Sequence, residues 1–285
     1  MTRRWEVLDS GRIRDILKSK KYFEDLVEFH WDYYSELAFQ RNRIREQLKS
    51  SLREKSQSYQ FSKWQRVVRY KHSLTPLSAK GSLTDPGGRF NIGELDRRYG
   101  VFPALYIASD KGTALAEVLG RDENTGPFSP EELALTKPDS ITAVSVSGKL
   151  ESALDIRDNN NLAGFANLIK DFRLSRSLIQ KAQKLRFPVQ LIKTVKELGS
   201  VLEQRDWRNW PMAFDVPSVG QIFGGLVMDA GIEGILYNSS ITQRLCLAIF
   251  PQNFLNSSSF IELDDAVPDA KVQRRIDSSN FKDVI

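Results

Sequence analysis

Between Tyr22 and Leu52 the chain contains neither glycine nor proline, and Phe23, Leu26, Val27, His30, Tyr33, Tyr34, Leu37, Ile44, Leu48 and Leu52 recur at intervals of three, four or seven residues. That spacing marks one face of a helix. The first 60 residues are therefore predicted to form a helical extension, one long amphipathic element interrupted near Phe39. The aromatic residues Phe23, Phe29, Trp31, Tyr33, Tyr34 and Phe39 could form a base-stacking platform, but aromatics at helical spacing more commonly form a packing face. An apolar face of this kind must be buried on the rest of the chain, on a second copy in a homo-oligomer, or on another partner.

From Trp64 onward short apolar runs alternate with turn residues. RVVRY (66–70), PALYIAS (103–109), ITAVSVS (141–147), GILYNSS (234–240), RLCLAIF (244–250) and FIEL (260–263) read as strands. Asp110 is a natural N-cap for a helix through Leu119 with Gly120 as its stop, and a second helix from Ser218 to Ala230 is ended by Gly231. Residues 161–202 carry two helical patterns divided by Pro188, and the stretch from Asp264 is polar and expected to be loosely held. Strands and helices interleaved without a regular βαβ rhythm predict an α+β fold. The expected divisions are a helical extension over 1–60, a domain over 61–263 and a polar tail over 264–285. Gly87-Gly88 is followed by Arg-Phe-Asn, so the dinucleotide-binding glycine fingerprint is absent, as is the Walker A pattern.

Composition narrows the chemistry. No stretch approaches the ~18 uninterrupted apolar residues of a membrane helix, and the charged N-terminus does not read as a signal peptide. A cytoplasmic protein is expected. Cys246 is the one cysteine and lies in an apolar run, which excludes an internal disulfide and a thiolate zinc cage. Two separated histidines, His30 and His72, make a metal site improbable, and His30 falls on the apolar helix face as a packing residue. The 41 Lys and Arg against 36 Asp and Glu leave a net charge of +5, without a long basic block. An anionic ligand or an acidic partner protein accounts for this excess as well as direct nucleic-acid binding does.

Without a catalytic histidine, a site must draw on arginine, glutamate, tyrosine, serine or asparagine. DPGGRFN (85–91) joins a Gly-Gly turn, whose N–H groups could approach an anion, to the forked guanidinium of Arg89; an ordinary surface turn is the alternative. In ALYIASDKGTALAEVLG (104–120), Tyr106 lies in a strand and Glu117 in the following helix among apolar residues. A carboxylate there is costly to bury unless it faces a polar cleft or a cation, and facing solvent is its other option. GILYNSS ends a strand in two hydroxyls, where turn formation competes with a functional role, and Arg69 is a cation beside Val67 and Val68 that could equally be an edge-strand charge.

The order VVRYK, GGRFN, ALYIAS, TALAEVL, then a glycine-bounded helix and GILYNSS, resembles the RES domain, named for its Arg, Glu and Ser, over about residues 64–255. The resemblance implies an ADP-ribosyltransferase-like fold. It also implies the toxin of a bacterial toxin–antitoxin pair, one that degrades NAD+ as substrate, without a cofactor, using water (hydrolysis) or inorganic phosphate (phosphorolysis) as acceptor. An Xre-type antitoxin would be its protein partner. Carried over by position, the resemblance marks Glu117, Arg89, Tyr106 and Ser239 as catalytic, with Arg69, Lys71 and Ser240 joining Arg89 in binding NAD+. Phe90 stands where the family often has Trp and Asn238 where it often has Pro, so Ser239 and Ser240 are both candidates for the family serine. The alternatives are transfer of ADP-ribose to a protein or nucleic acid, and a non-enzymatic nucleic-acid-binding or scaffold protein.

Overall fold

A computed structural model describes residues 10–119, 141–267, 269 and 271–285. Among these residues the chain order is α1 (Ser10–Arg43), α2 (Arg45–Arg53), β1 (Gln57–Arg69), β2 (Gly87–Gly88), β3 (Asn91–Ile92), β4 (Leu105–Ala108), α3 (Lys111–Leu119) and β5 (Ile141–Asp155). There follow α4 (Asn159–Ile169), α5 (Arg176–Lys184), α6 (Val195–Leu202), α7 (Asn209–Phe214), α8 (Val219–Asp229), β6 (Gly234–Asn238), β7 (Leu245–Ile249), β8 (Phe260–Leu263) and β9 (Arg275–Ile276). The α+β expectation agrees with this succession. The expected stop at Gly120 lies outside the described residues. No helix among the described residues is long and apolar enough to cross a membrane.

Two units emerge. One joins the described residues up to Arg43 to Phe172–Leu191, and the other joins Ile44–Asp171 to Ile192–Ile285. The helix break falls at Ile44 rather than Phe39, because Ile44 leaves the helical backbone (φ −116°, ψ 21°). Residues 44–60, expected in the helical extension, lie with the sheet: α2 buries Leu48 and Leu52, and the Arg53 Nε donates to Ala230 O at 2.8 Å.

In the first unit Phe29 is fully buried and packs with Leu178, Ala182 and Leu185. His30 is 1% exposed and meets the Phe187 ring edge-on at 4.8 Å between centroids. Burial lowers the His30 pKa from 6.5 to about 4, so the imidazole is neutral at physiological pH. Part of the aromatic density is a packing face, as expected, while Phe23, Trp31 and Phe39 remain exposed. Glu36 accepts hydrogen bonds from both the N–H and the hydroxyl of Ser175, the N-cap of α5, and Lys181 pairs with Glu28 and Asp32.

The second unit is built on a seven-stranded sheet of order β1-β4-β7-β6-β5-β8-β9. The long strands β1 and β5 also pair antiparallel with each other from Gln57 opposite Ala153 to Arg69 opposite Ile141, so β1, β4, β7, β6 and β5 close into a ring. Phe61, Trp64, Leu105, Val146, Leu236 and Leu247 belong to its apolar core. Alternation along each strand supplies these inward positions. The residues after Asp264 correct the expectation of a loose tail: β9 pairs with β8, and Val272, Ile276, Phe281 and Val284 are buried in the same core. The polar texture concealed four apolar residues spaced widely enough to escape a periodicity reading. Residues 159–202 hold three helices, α4, α5 and α6, where two were expected.

Helix α8 sets the stage for the site. Ser218 and Gln221 form its capping box, and the Gln221 Nε2 donates to Pro86 O (2.7 Å) and Asn91 O (3.1 Å). An added Cβ would stand 2.7 Å from Arg89 O at Gly220 and 2.0 Å from Phe90 O at Gly224. Only glycine allows the helix to lie this close to the 86–91 loop.

Candidate active site

Asn91 organises the turn that carries Arg89. Its Oδ1 accepts from Gly88 N (2.9 Å) and from the Tyr106 hydroxyl (2.9 Å), while its Nδ2 donates to Ser82 O and Phe102 O. The Tyr106 hydroxyl in turn accepts from Phe90 N at 3.0 Å, and burial raises its pKa far above the ordinary 10. Tyr106 therefore stays protonated and braces the turn with its hydroxyl. Because Gly87 N donates to Thr84 O, the N–H groups of residues 87, 88 and 90 are all taken up internally. The expectation that the Gly-Gly turn offers N–H groups to an anion is corrected: the glycines serve close packing, and an added Cβ at Gly88 would stand 2.4 Å from the Tyr106 hydroxyl oxygen.

The turn delivers a guanidinium. Arg89 is 5% exposed, donates through Nη1 to Leu202 O and Gln204 O (both 3.3 Å) and through Nη2 to the Ser240 Oγ at 2.6 Å. Its Cζ lies 5.8 Å from the centre of the Tyr237 ring. No carboxylate among the described residues pairs with it within 4.0 Å.

The carboxylate arrives on α3. Asp110 caps this helix by accepting from Thr113 N at 2.9 Å, and the Thr113 hydroxyl lies 3.0 Å from that of Thr242. The cap fixes α3 against the turn after β6, and one helical turn later Glu117 meets Ser239. The fully buried Ser239 donates its hydroxyl to Glu117 Oε1 at 2.5 Å while its oxygen accepts from Ile241 N and Thr242 N at 3.1 Å. The two serines that sequence left as alternatives thus have separate partners, Ser239 with the carboxylate and Ser240 with Arg89.

Arg89, Tyr106 and Glu117 line one cavity of about 350 Å³, together with Gln65, Arg66, Trp207, Arg208, Tyr237 and Cys246, whereas Ser239 and Ser240 are not part of its lining and bear on it through Glu117 and Arg89. Burial raises the Cys246 pKa, leaving an unreactive thiol. Arg66 is the cation that motif reading missed. Its Nε, Nη1 and Nη2 donate to Pro76 O (2.7 Å), Tyr106 O (2.9 Å) and Ser78 O (2.7 Å), and burial lowers its pKa only to about 10, so it remains charged. Arg69 does not reach the cavity; it is exposed at the last position of β1. Lys71 follows in a short 3-10 turn, and its side chain lies outside the described residues.

The comparison with curated proteins finds no match. Among solved structures, a chain of the crystal structure of the M. tuberculosis MbcT–MbcA toxin–antitoxin complex is similar at 13% identity, with a TM-score of 0.44, over 84% of this chain and 97% of that chain. The family model described as RES domain matches residues 63–266, which span every residue lining the cavity. The chain belongs to the RES domain family.

Proposed function

We propose that this cavity binds NAD+ and breaks its nicotinamide–ribose bond, and that the protein is the toxin of a toxin–antitoxin pair acting on the cytoplasmic NAD+ pool. The observation that carries the reading is the charge pattern: Glu117, held by a buried serine, faces a cavity whose other charged groups, among the described residues, are Arg66, Arg89 and Arg208. Three cations against one anion suit a ligand with two phosphate charges. An isolated carboxylate suits a centre that becomes positive.

The chemistry needs nothing the site lacks. When the bond between ribose C1′ and the pyridinium nitrogen breaks, its electron pair leaves with nicotinamide, which departs neutral without a proton. The ribose becomes oxocarbenium-like, and water, which releases a proton to solvent, or inorganic phosphate then forms the new bond at C1′. Glu117 has one oxygen engaged by Ser239 and one available to a ribose hydroxyl, so its charge is fixed beside the developing cation. Ser239 acts by holding that carboxylate, and Arg89 supplies a preorganised positive field. Tyr106 contributes its ring as a wall.

An inhibitor of such a toxin must meet the same field. An antitoxin, of the Xre type that the resemblance implies, would enter with a carboxylate and compete with the pyrophosphate. The test is to incubate the full-length protein with NAD+, with and without phosphate, and identify products by mass spectrometry. Nicotinamide together with ADP-ribose or its phosphorylated form is expected. Intact NAD+ in the presence of well-folded protein would overturn the reading.

A further inference from the structure

The three guanidiniums of the cavity are not equivalent. Arg66 gives three of its donors to backbone carbonyls, and Arg89 gives its Nη1 and Nη2 groups to two carbonyls and Ser240. Both are walls first. Arg208 stands apart: it is exposed, it precedes α7, and among the described residues it makes no ion pair or side-chain hydrogen bond. Its Cζ lies 4.7 Å from the centre of the Trp207 ring. Trp207 is itself only 6% exposed, so the platform under the guanidinium is fixed by the core.

This arrangement has the properties of a receiving group. Stacking on an indole leaves the guanidinium N–H edge free and restricts the side chain before any ligand arrives. The location is also inside the site, since Trp207 and Arg208 line the same cavity as Glu117, and the charge of Arg208 acts on the Tyr106 hydroxyl. We propose that Arg208, held over the Trp207 ring, receives a phosphate oxyanion in this cavity. The planar fork matches two oxygens of one phosphate group. That group is either in the pyrophosphate of the dinucleotide or the inorganic phosphate acceptor. The naming of these two sources rests on the NAD+ reading above, whereas the anion site itself does not.

The experiment uses the full-length protein, Arg208→Ala, Arg208→Lys and Trp207→Phe. Calorimetric titration with inorganic pyrophosphate needs no turnover, and steady-state cleavage is followed separately against NAD+ and against phosphate. Arg208→Ala should weaken pyrophosphate binding about tenfold, the effect of losing one charge-assisted contact of this kind. Arg208→Lys should recover part of that loss, and Trp207→Phe, which leaves a smaller ring under the guanidinium, should weaken binding by less than Arg208→Ala does. A rise in KM for NAD+ at unchanged kcat identifies the dinucleotide as the source, while lost dependence on phosphate identifies the acceptor. Pyrophosphate binding that falls in Arg208→Ala in a protein that leaves NAD+ intact sinks the NAD+ reading and keeps the anion site. Unchanged pyrophosphate affinity and unchanged KM values in a folded Arg208→Ala protein overturn the proposal.

Discussion

The Ser239 hydroxyl is used completely, its hydrogen directed to Glu117 and its oxygen accepting the N–H groups of Ile241 and Thr242. This separates two substitutions that sequence alone would treat alike. Ser239→Ala leaves two backbone donors without their acceptor, at a cost of about 1–3 kcal/mol, and also frees the carboxylate to turn. It should lower both Tm and NAD+ turnover. Glu117→Gln retains an oxygen for Ser239 but removes the charge, so Tm should hold while turnover falls roughly a hundred- to a thousandfold. Thermal melts paired with NAD+ assays check both, and wild-type turnover by Glu117→Gln would remove the carboxylate from the chemistry. Arg89, Tyr106 and Glu117, which the fold brings to one cavity, and Ser239, which bonds Glu117, each stand in a short motif with few conformational options. The second cation was misplaced because Arg69 sits within VVRYK, although Arg66 lies between Trp64 and Val68, two of the buried positions of the strand. Arg69→Ala is accordingly expected to leave turnover near wild type. Trp207 and Arg208 fall in a polar connection without periodicity, where sequence offers no face to read.

At the scale of elements, β4, β6, β7, β8 and α8 were readable from alternation and caps, whereas β1 and β5 run well beyond RVVRY and ITAVSVS, and the closure of β1 onto both β4 and β5 depends on contacts far apart in sequence. The helical unit shows how such distant packing sets a chemical property. His30 is enclosed by Phe29 and Phe187, and Phe187 comes from a segment that α1's own periodicity cannot anticipate. Since burial lowers the His30 pKa from 6.5 to about 4, the unfolded chain binds this proton first as pH falls. The stabilisation from the neutral imidazole is therefore full above pH 6.5 and is lost progressively as pH falls toward 4. His30→Leu cannot titrate. The difference between wild-type and His30→Leu Tm values should change across that window and be flat above it. A difference that stays constant from pH 7 to pH 4 would show that His30 carries no linked proton.

The whole molecule is interleaved, with the helical unit assembled from residues before Ile44 and from Phe172–Leu191, the latter interrupting the chain of the sheet unit. A boundary near residue 60 follows the change of texture at Trp64, but α2 lies with the sheet because Leu48 and Leu52 are buried and Arg53 bonds Ala230. This topology decides which truncations can work. Starting the chain near Ser58 removes α2 and part of β1 and should cost stability in the unit that holds the cavity. Starting it at Ile44 spares the sheet but strips Leu178, Ala182 and Leu185 of Phe29, their buried partner, exposing an apolar face on α5. That protein should aggregate. Removing residues 1–43 and also replacing 172–191 by a short Gly/Ser linker deletes the helical unit as a whole and leaves every cavity residue, from Gln65 to Cys246, in place. The doubly deleted protein is expected to be monodisperse by size-exclusion chromatography and to retain NAD+ turnover within about tenfold of wild type, the span of ~1.4 kcal/mol in the barrier. If it is soluble and folded yet inactive while the intact chain turns NAD+ over, the helical unit contributes to catalysis and the chemistry does not reside in the sheet unit alone.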